Sequence, residues 1–375
     1  MDREIAQRLI HELEAAANAH DTTRVMRLYA DDAVLVSPVW GELCGRDAIA
    51  QTWDRTFELY PDWHVKVDDF LLDGERVAFL GTAGGTDRNG WFGQPATGEW
   101  LQYRAVISLK IVDGRIVRDE RIYDLTSLLQ RLEKVRIDKE LRLAADVQRA
   151  LLPSEVHSDH FYEAVGDSIP CRAIGGDFYE FATLPSGNLA VALGDIAGKG
   201  PASALLASMI QGMLAVQASH ESPPATILNC LNRLLVKRKV EPRFATLVYG
   251  VLAPGGEFTY VNAGHNPPIL LSGSRVQRLE TGGPVVGAFE ASAYEQETVQ
   301  LERGASLILF SDGVTEARNT HDEEYGDGRL ISAAQSRLTC SASELLRDLF
   351  QSVLQFSKST AQSDDITAVV IRYTG

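Results

Sequence analysis

Four aspartates stand where apolar, strand-like runs begin or end, and that placement constrains the fold more than any other feature of the chain. Asp177 lies in Gly-Gly-Asp-Phe-Tyr and Asp195 in Leu-Gly-Asp-Ile-Ala-Gly-Lys-Gly. Asp312 follows the apolar run 307–310 in Phe-Ser-Asp-Gly, and Asp364 heads Asp-Asp-Ile-Thr just before the apolar run 368–371. A carboxylate at the end of a core strand is costly to desolvate unless it is paired or holds a cation. No basic run partners these four, so they point to one divalent-metal site and a metal-dependent hydrolase. A single Asp-Gly or Gly-Asp pair is ordinarily just a turn. The joint occurrence of four carries the inference.

A chain of 375 residues predicts two or three domains. The formal net charge of -15 argues against nucleic-acid binding, because phosphates would be repelled. A phosphorylated protein remains compatible, since a bound cation supplies local positive charge. No apolar run approaches the roughly 20 residues of a membrane helix. The charged, amphipathic start Met-Asp-Arg-Glu-Ile-Ala does not read as a secretory signal. The expectation is a cytoplasmic protein with no membrane partner. Cys44, Cys171, Cys230 and Cys340 form no C-x-x-C pair, so reduced thiols are expected rather than a disulfide framework or a zinc site.

Three sections emerge along the chain. Over 1–124, helical periodicity at 5–19 is followed by a second helix capped by Asp21, a strand at 33–37 and a helix at 47–59. Four strand-like runs come next, at 63–71, 76–86, 99–112 and 115–124, with Asp113-Gly114 as a two-residue hairpin turn. Helices followed by a long antiparallel sheet read as α+β. Residues 125–152 form one amphipathic stretch closed by Pro153, on the order of 40 Å long if helical. It either packs on one of its own domains or, as the reading adopted here, pairs with its twin in a homodimer. The apolar stripe is not a clean heptad. Residues 153–375 mix strands at 189–193, 245–252, 257–262, 269–271, 306–310 and 366–373 with helices at 201–218, 224–239 and 342–356. A sheet sandwich flanked by helices fits this pattern better than a doubly wound parallel sheet.

Carboxylate oxygens suit hard cations such as Mg²⁺ and Mn²⁺. Two such ions about 3.5–4 Å apart can generate hydroxide and clamp phosphoryl oxygens for in-line attack. Asp195 is the natural bridge between them, because a strand leads into it and a glycine-rich turn follows. Asp365 either shares the role of Asp364 or supports it, since adjacent acids on an extended segment cannot both point inward. Lys199 sits in half of a phosphate-binding loop pattern that Pro201 breaks, so it is read as a solvated turn residue or a helper for substrate phosphate. His265 could be a general base, but a turn histidine bonded to its neighbours is the simpler expectation.

Residues from about 135 to 375 resemble the SpoIIE-like branch of the metal-dependent protein phosphatases, relatives of the type 2C family. The matching stretches are 140–153, 175–180, 194–206, 260–268, 310–317 and 364–367, in the family's order. The resemblance implies a protein serine/threonine phosphatase with two Mn²⁺ or Mg²⁺ ions. It implies Asp195 as their bridge, Asp177 on one ion, Asp312 and Asp364 on the other, and a backbone carbonyl from Ile196. It also implies a phosphorylated STAS-type anti-anti-sigma protein as substrate, in a partner-switching pathway. Glu180 stands where the family has Asp, and Ala197 where Ser is common. Residues from about 1 to 130 resemble SnoaL-like domains through Tyr29-Ala-Asp-Asp-Ala-Val, Gly45-Arg-Asp-Ala-Ile and the closing hairpin. That likeness implies a cone-shaped α+β fold whose pocket binds a small molecule. Its pocket aromatics would be Trp40, Trp53, Trp91, Trp100, Tyr103 and Tyr123, which could equally be ordinary core.

The resulting expectation is a phosphatase domain over 153–375 controlled by a sensor domain over 1–124 through the linker 125–152. Two rivals stand beside it. The C-terminal part could be an inactive, phosphatase-like binding module, which would have no need of all four aspartates. The N-terminal part could itself be a cyclase or isomerase, which requires an acid–base pair in its pocket.

Overall fold

The computed structural model describes residues 2–90, 94–153, 155–218, 220–238 and 244–375. Contacts divide the chain into two units, Met1–Lys139 and Glu140–Gly375.

In the first unit, α1 (Arg3–Asn18) and α2 (Thr22–Met26) precede β1 (Tyr29–Ser37), β2 (Gly41–Cys44) and α3 (Arg46–Leu59). Asp2 and Asp21 cap the first two helices, accepting from the backbone N–H of Glu4 and Arg24. Then come β3 (His64–Asp73), β4 (Arg76–Thr86), β5 (Trp100–Val112) and β6 (Arg115–Ile122). The six strands lie in the order β2-β1-β6-β5-β4-β3. Only β1–β6 is parallel. Asp113 and Gly114 join β5 to β6 with positive φ at both, as a type I′ turn requires. Leu9, Leu13 and Ala16 of α1 pack with Ile49 and Trp53 of α3 and with Phe79 and Leu109 of the sheet. This is the expected α+β arrangement.

Helix α4 (Leu125–Leu151) contributes to both units. Its early residues Leu128 and Leu132 pack against Leu59, Tyr60 and Leu101. Farther along, Leu141 and Ala145 pack against Ile174 and Ala204.

The second unit contains β7 (His157–Asp159), β8 (Tyr162–Ile169), β9 (Phe178–Thr183), β10 (Leu189–Ile196), α5 (Pro201–Ala218) and α6 (Pro224–Arg238). These are followed by β11 (Ala245–Leu252), β12 (Glu257–Ala263), β13 (Ile269–Ser272), β14 (Arg275–Arg278), β15 (Gly282–Gly283), β16 (Glu297–Gln300) and β17 (Ser306–Phe310). Last are α7 (Asp312–Thr315), α8 (Gly326–Gln335), α9 (Ala342–Phe356) and β18 (Ile366–Tyr373). One sheet runs β15-β12-β11-β10-β9 with β16 on β12, and the other β14-β13-β17-β18-β8-β7. Their inner faces meet through residues such as Leu193, Phe258, Leu307 and Val369. On the outer faces, α5 and α6 cover the first sheet. The second sheet is covered by α8 and α9. The result is the expected sandwich flanked by helices.

Strands buried on both faces read as continuous apolar runs, which is why β10, β11, β17 and β18 stand out in the sequence. The short or half-exposed β2, β7, β14 and β16 do not. By length and composition α5 could cross a membrane, but its Leu206, Ile210 and Leu214 pack in the core on the sheet.

Helix α9 begins with a capping box in which Ser341 and Glu344 satisfy each other's backbone N–H groups. Ser341→Ala should destabilise the second unit by about 1 kcal/mol. The shift in the urea unfolding midpoint of that unit measures it.

Candidate functional site

The two sheets deliver the aspartates to one end of the sandwich. Asp177 immediately precedes β9, and Asp195 is the penultimate residue of β10. Asp312 opens α7 after β17, while Asp364 and Asp365 lead into β18. The buried strands hold these ends in register, with Asp195 opposite Thr246 and Phe310 opposite Ala368.

The four expected aspartates lie near enough to feel one another's charge in a chain of neighbours. Burial pushes the Asp177 carboxyl well above the usual range, and the neighbouring Asp195 charge adds to it. Asp195 is pushed up to about 6, first by burial and then by the charges of Asp312 and Asp364. Asp312 is raised by burial and then by Asp364. Such mutual repulsion calls for a cation among them.

An orphaned atom tests the fit. Asp177 is only 4% exposed, and its Oδ2 is buried with no donor on the protein. A buried acceptor left this way costs roughly 1–3 kcal/mol, and a metal ion would satisfy it. The local backbone leaves room around these oxygens. A Cβ at Gly176 would stand 3.0 Å from the Ile196 carbonyl oxygen and 3.3 Å from Asp195 Oδ1. Carboxylate and carbonyl oxygens grouped around a glycine cradle fit Mg²⁺ or Mn²⁺.

The structure separates Asp364 from Asp365. Asp364 is half-buried, with its Oδ2 2.8 Å from Lys199 Nζ. Lys199, read from the sequence as solvated or as a substrate helper, thus carries an ion pair and also donates to the Ser363 carbonyl. Asp365 is 5% exposed, and both its oxygens are engaged. Oδ1 accepts the Cys171 N–H at 2.8 Å, and Oδ2 accepts the Gly176 N–H at 2.7 Å. A Cβ at Gly313 would overlap the Asp365 carbonyl oxygen. Cys171, Asp364 and Asp365 do offer potential ligand atoms within 4.8 Å of one another. Yet burial raises the Cys171 thiol to about 11, which opposes the thiolate a metal would need.

His265 lies in the turn expected of it. Its N–H donates to Asn262 Oδ1 at 2.8 Å and its Nδ1 lies 2.7 Å from Thr246 Oγ1. Burial lowers its pKa to about 4, so it stays neutral. Glu180 accepts from Gln211 Nε2 at 2.9 Å, and Gln211 also donates to the Leu151 carbonyl at the end of α4.

One positioning contact joins two of the matched stretches, 140–153 and 175–180, and the sequence does not show that they touch. Gln148 of α4 holds both backbone groups of Gly175. Its Nε2 donates to the Gly175 carbonyl at 2.8 Å, and its Oε1 accepts the Gly175 N–H at 3.1 Å.

The first unit encloses a cavity of about 90 Å³. Of the expected pocket aromatics, Trp40, Trp53, Tyr103 and Tyr123 line it. Trp100 is 46% exposed and does not, while Trp91 lies outside the described residues. Tyr60 and Trp63 also line it, although they sit at a helix-to-strand turn that drew no attention in the sequence. Leu128 of α4 contributes to the wall.

The residue profile of stage II sporulation protein E (SpoIIE) matches residues 185–374. The chain belongs to the SpoIIE family. It is a protein serine/threonine phosphatase of that metal-dependent type. A SnoaL-like domain profile matches residues 10–119. Phosphoserine phosphatase RsbU of Bacillus subtilis is 30% identical over 239 residues, covering 63% of this chain and 70% of RsbU. Protein IcfG of Synechocystis is 26% identical over 261 residues, 62% of this chain and 41% of IcfG. Among solved structures, the type 2C phosphatase domain of SiaA from Pseudomonas aeruginosa superposes with a TM-score of 0.57 at 21% identity. That match covers 64% of this chain and 98% of the SiaA domain, and it supports the sandwich fold.

Asp365→Asn would turn one carboxylate acceptor into a donor facing backbone N–H groups. The substitution should cost roughly 1–3 kcal/mol and weaken Mn²⁺ binding in a calorimetric titration, with Asp177, Asp195, Asp312 and Asp364 intact.

Proposed function

We propose that the second unit hydrolyses phosphoserine or phosphothreonine on a STAS-type anti-anti-sigma protein, using two Mn²⁺ or Mg²⁺ ions. The observation that carries this reading is the group of mutually repelling carboxylates with one oxygen of Asp177 unsatisfied. Asp195 would bridge the ions, Asp177 would serve one, and Asp312 and Asp364 the other, with the Ile196 carbonyl as a further donor. Ions held there would supply Lewis acidity toward the phosphoryl group and lower the pKa of water. Asp365 then acts as a positioning residue, fixing the loop that carries Asp177. No side chain is asked to form a covalent intermediate, and neutral, turn-locked His265 is not asked to serve as base. Support for the substrate comes from RsbU, named a phosphoserine phosphatase. A Mycobacterium tuberculosis protein that joins RsbU and RsbW domains superposes with a TM-score of 0.50 at 22% identity, covering 57% of this chain and 62% of that one, which supports the fold alone.

The first unit is the regulatory input in this reading. Its cavity touches Leu128 and the active-site loop touches Gln148, both on the same helix. A two-state displacement of α4 would move Gly175, and with it Asp177, while Ala145 bears on Ala204 of α5. Ile137, Leu143 and Val147 are exposed on α4 and offer an apolar surface for pairing with a second copy.

Purified chain with Mn²⁺ should release phosphate from a phosphorylated STAS protein encoded nearby, and Asp195→Asn should lose at least a hundredfold of that rate. Equal rates would sink the metal-site reading. Val135→Pro breaks α4 between Leu128 and Gln148. It should uncouple phosphate release from any effector of the first unit while leaving the Asp195 dependence in place. Regulation that persists in the proline variant would count against transmission through the helix.

A further inference from the structure

Two rings that line the cavity of the first unit carry unmet hydrogen-bond donors. Trp53 Nε1 and Trp63 Nε1 are both buried with no acceptor on the protein, and both rings line the cavity. Trp53 as a whole is 8% exposed. A buried indole N–H ordinarily finds a partner. Two such donors on rings that line one cavity ask for an acceptor there.

The charged groups lining the cavity, Glu14, Asp119 and Arg121, are already engaged. Arg121 Nη2 lies 2.9 Å from Asp119 Oδ2, and its Nε lies 3.1 Å from the same oxygen. Tyr29 also donates to Asp119 Oδ2, at 2.6 Å. The Arg121 guanidinium stacks on the Trp53 ring with 4.8 Å to the centroid. The other lining carboxylate, Glu14, accepts the Val67 N–H at 3.0 Å. An anion would enter without an uncompensated cation to meet it, and a cation would face Arg121. The anion would pay a desolvation cost that nothing in the wall repays, and the cation would find carboxylates already hydrogen-bonded.

Shape completes the argument. Tyr60, Trp63, Tyr103 and Tyr123 form a chain of rings with centroids 5.7, 6.0 and 4.8 Å apart. Flat ligands stack favourably on such walls. A cavity of about 90 Å³ is on the scale of one small ring.

We propose that the first unit binds a neutral, single-ring aromatic carbonyl compound, whose oxygen accepts from the Trp53 and Trp63 indole N–H groups. The proposal deepens the reading of this unit as a ligand-binding input and rests on it. It assigns the cavity to binding rather than turnover, because both of its carboxylates are engaged and no histidine lines it among the described residues.

The test uses the full-length chain, isothermal titration calorimetry and thermal melting with four probes of similar size. Acetophenone should bind and raise the melting temperature of the first unit. Ethylbenzene, which lacks the acceptor, should bind about tenfold more weakly, as expected for hydrogen bonds made in a buried site. Benzoate and benzylamine should not bind measurably. Trp53→Phe and Trp63→Phe together keep the apolar rings and remove both donors, so the preference for acetophenone should vanish. Ethylbenzene binding as tightly as acetophenone, either charged probe binding as tightly, or no probe binding at all would overturn the proposal. A folded double variant that kept the tenfold preference would do the same, and if that variant fails to fold the wild-type comparison decides alone. Phosphate release measured in parallel keeps the two readings apart. Selective acetophenone binding without a change in rate would support the ligand class and refute the regulatory role.

Discussion

A buried carboxylate joins the two sheets of the phosphatase unit at its acidic end. Asp365 leads into β18 of one sheet and accepts the backbone N–H of Gly176, next to β9 of the other. The donor and acceptor are 189 residues apart in the chain. An ionised acceptor bonded to backbone N–H groups makes a strong interaction in a low-dielectric site. It holds together a loop that the surrounding charges would otherwise push apart. Asp195 repels Asp177, Asp312 and Asp364 repel Asp195, and the Asp365 charge adds to all of this, so its bonds to the Cys171 and Gly176 N–H groups are what tie the loop to β18.

That division of labour explains why two adjacent aspartates close the motif. Side chains alternate along an extended segment. One carboxylate turns into the protein and satisfies backbone groups, while the other stays half-buried beside Lys199 and within reach of Asp195 and Asp312. Gln148 adds a second hold on the same loop from α4, through both backbone groups of Gly175. The loop that carries Asp177 is thus held by a sheet end on one side and by a helix on the other.

The apolar runs at β10, β11, β17 and β18 were legible because strands buried on both faces leave few polar residues. The aspartates were legible because they interrupt those runs. Strands β2, β7, β14 and β16 were not, being short or at edges, where pairing partners rather than composition decide the conformation. The pocket aromatics were only partly legible. Trp53 and Tyr103 face the cavity and Trp100 does not, yet nothing in their local sequence distinguishes them. Tyr60 and Trp63 went unnoticed because their role comes from where a turn sits against α4 and β5.

The sequence by itself determined the pairing of a SnoaL-like domain with a SpoIIE-type phosphatase, the helix between them and the residue set around Asp195. The pairing follows from motifs that resemble those two families, the helix from local periodicity, and the prominence of the aspartates from the cost of burying carboxylates. Only the tertiary structure decided that Asp365 clamps backbone, that Gln148 grips Gly175, and that two rings lining one cavity carry indole N–H groups without acceptors. Each of those facts depends on groups far apart in the chain meeting at hydrogen-bond distance, and distance in space is what a linear pattern does not encode.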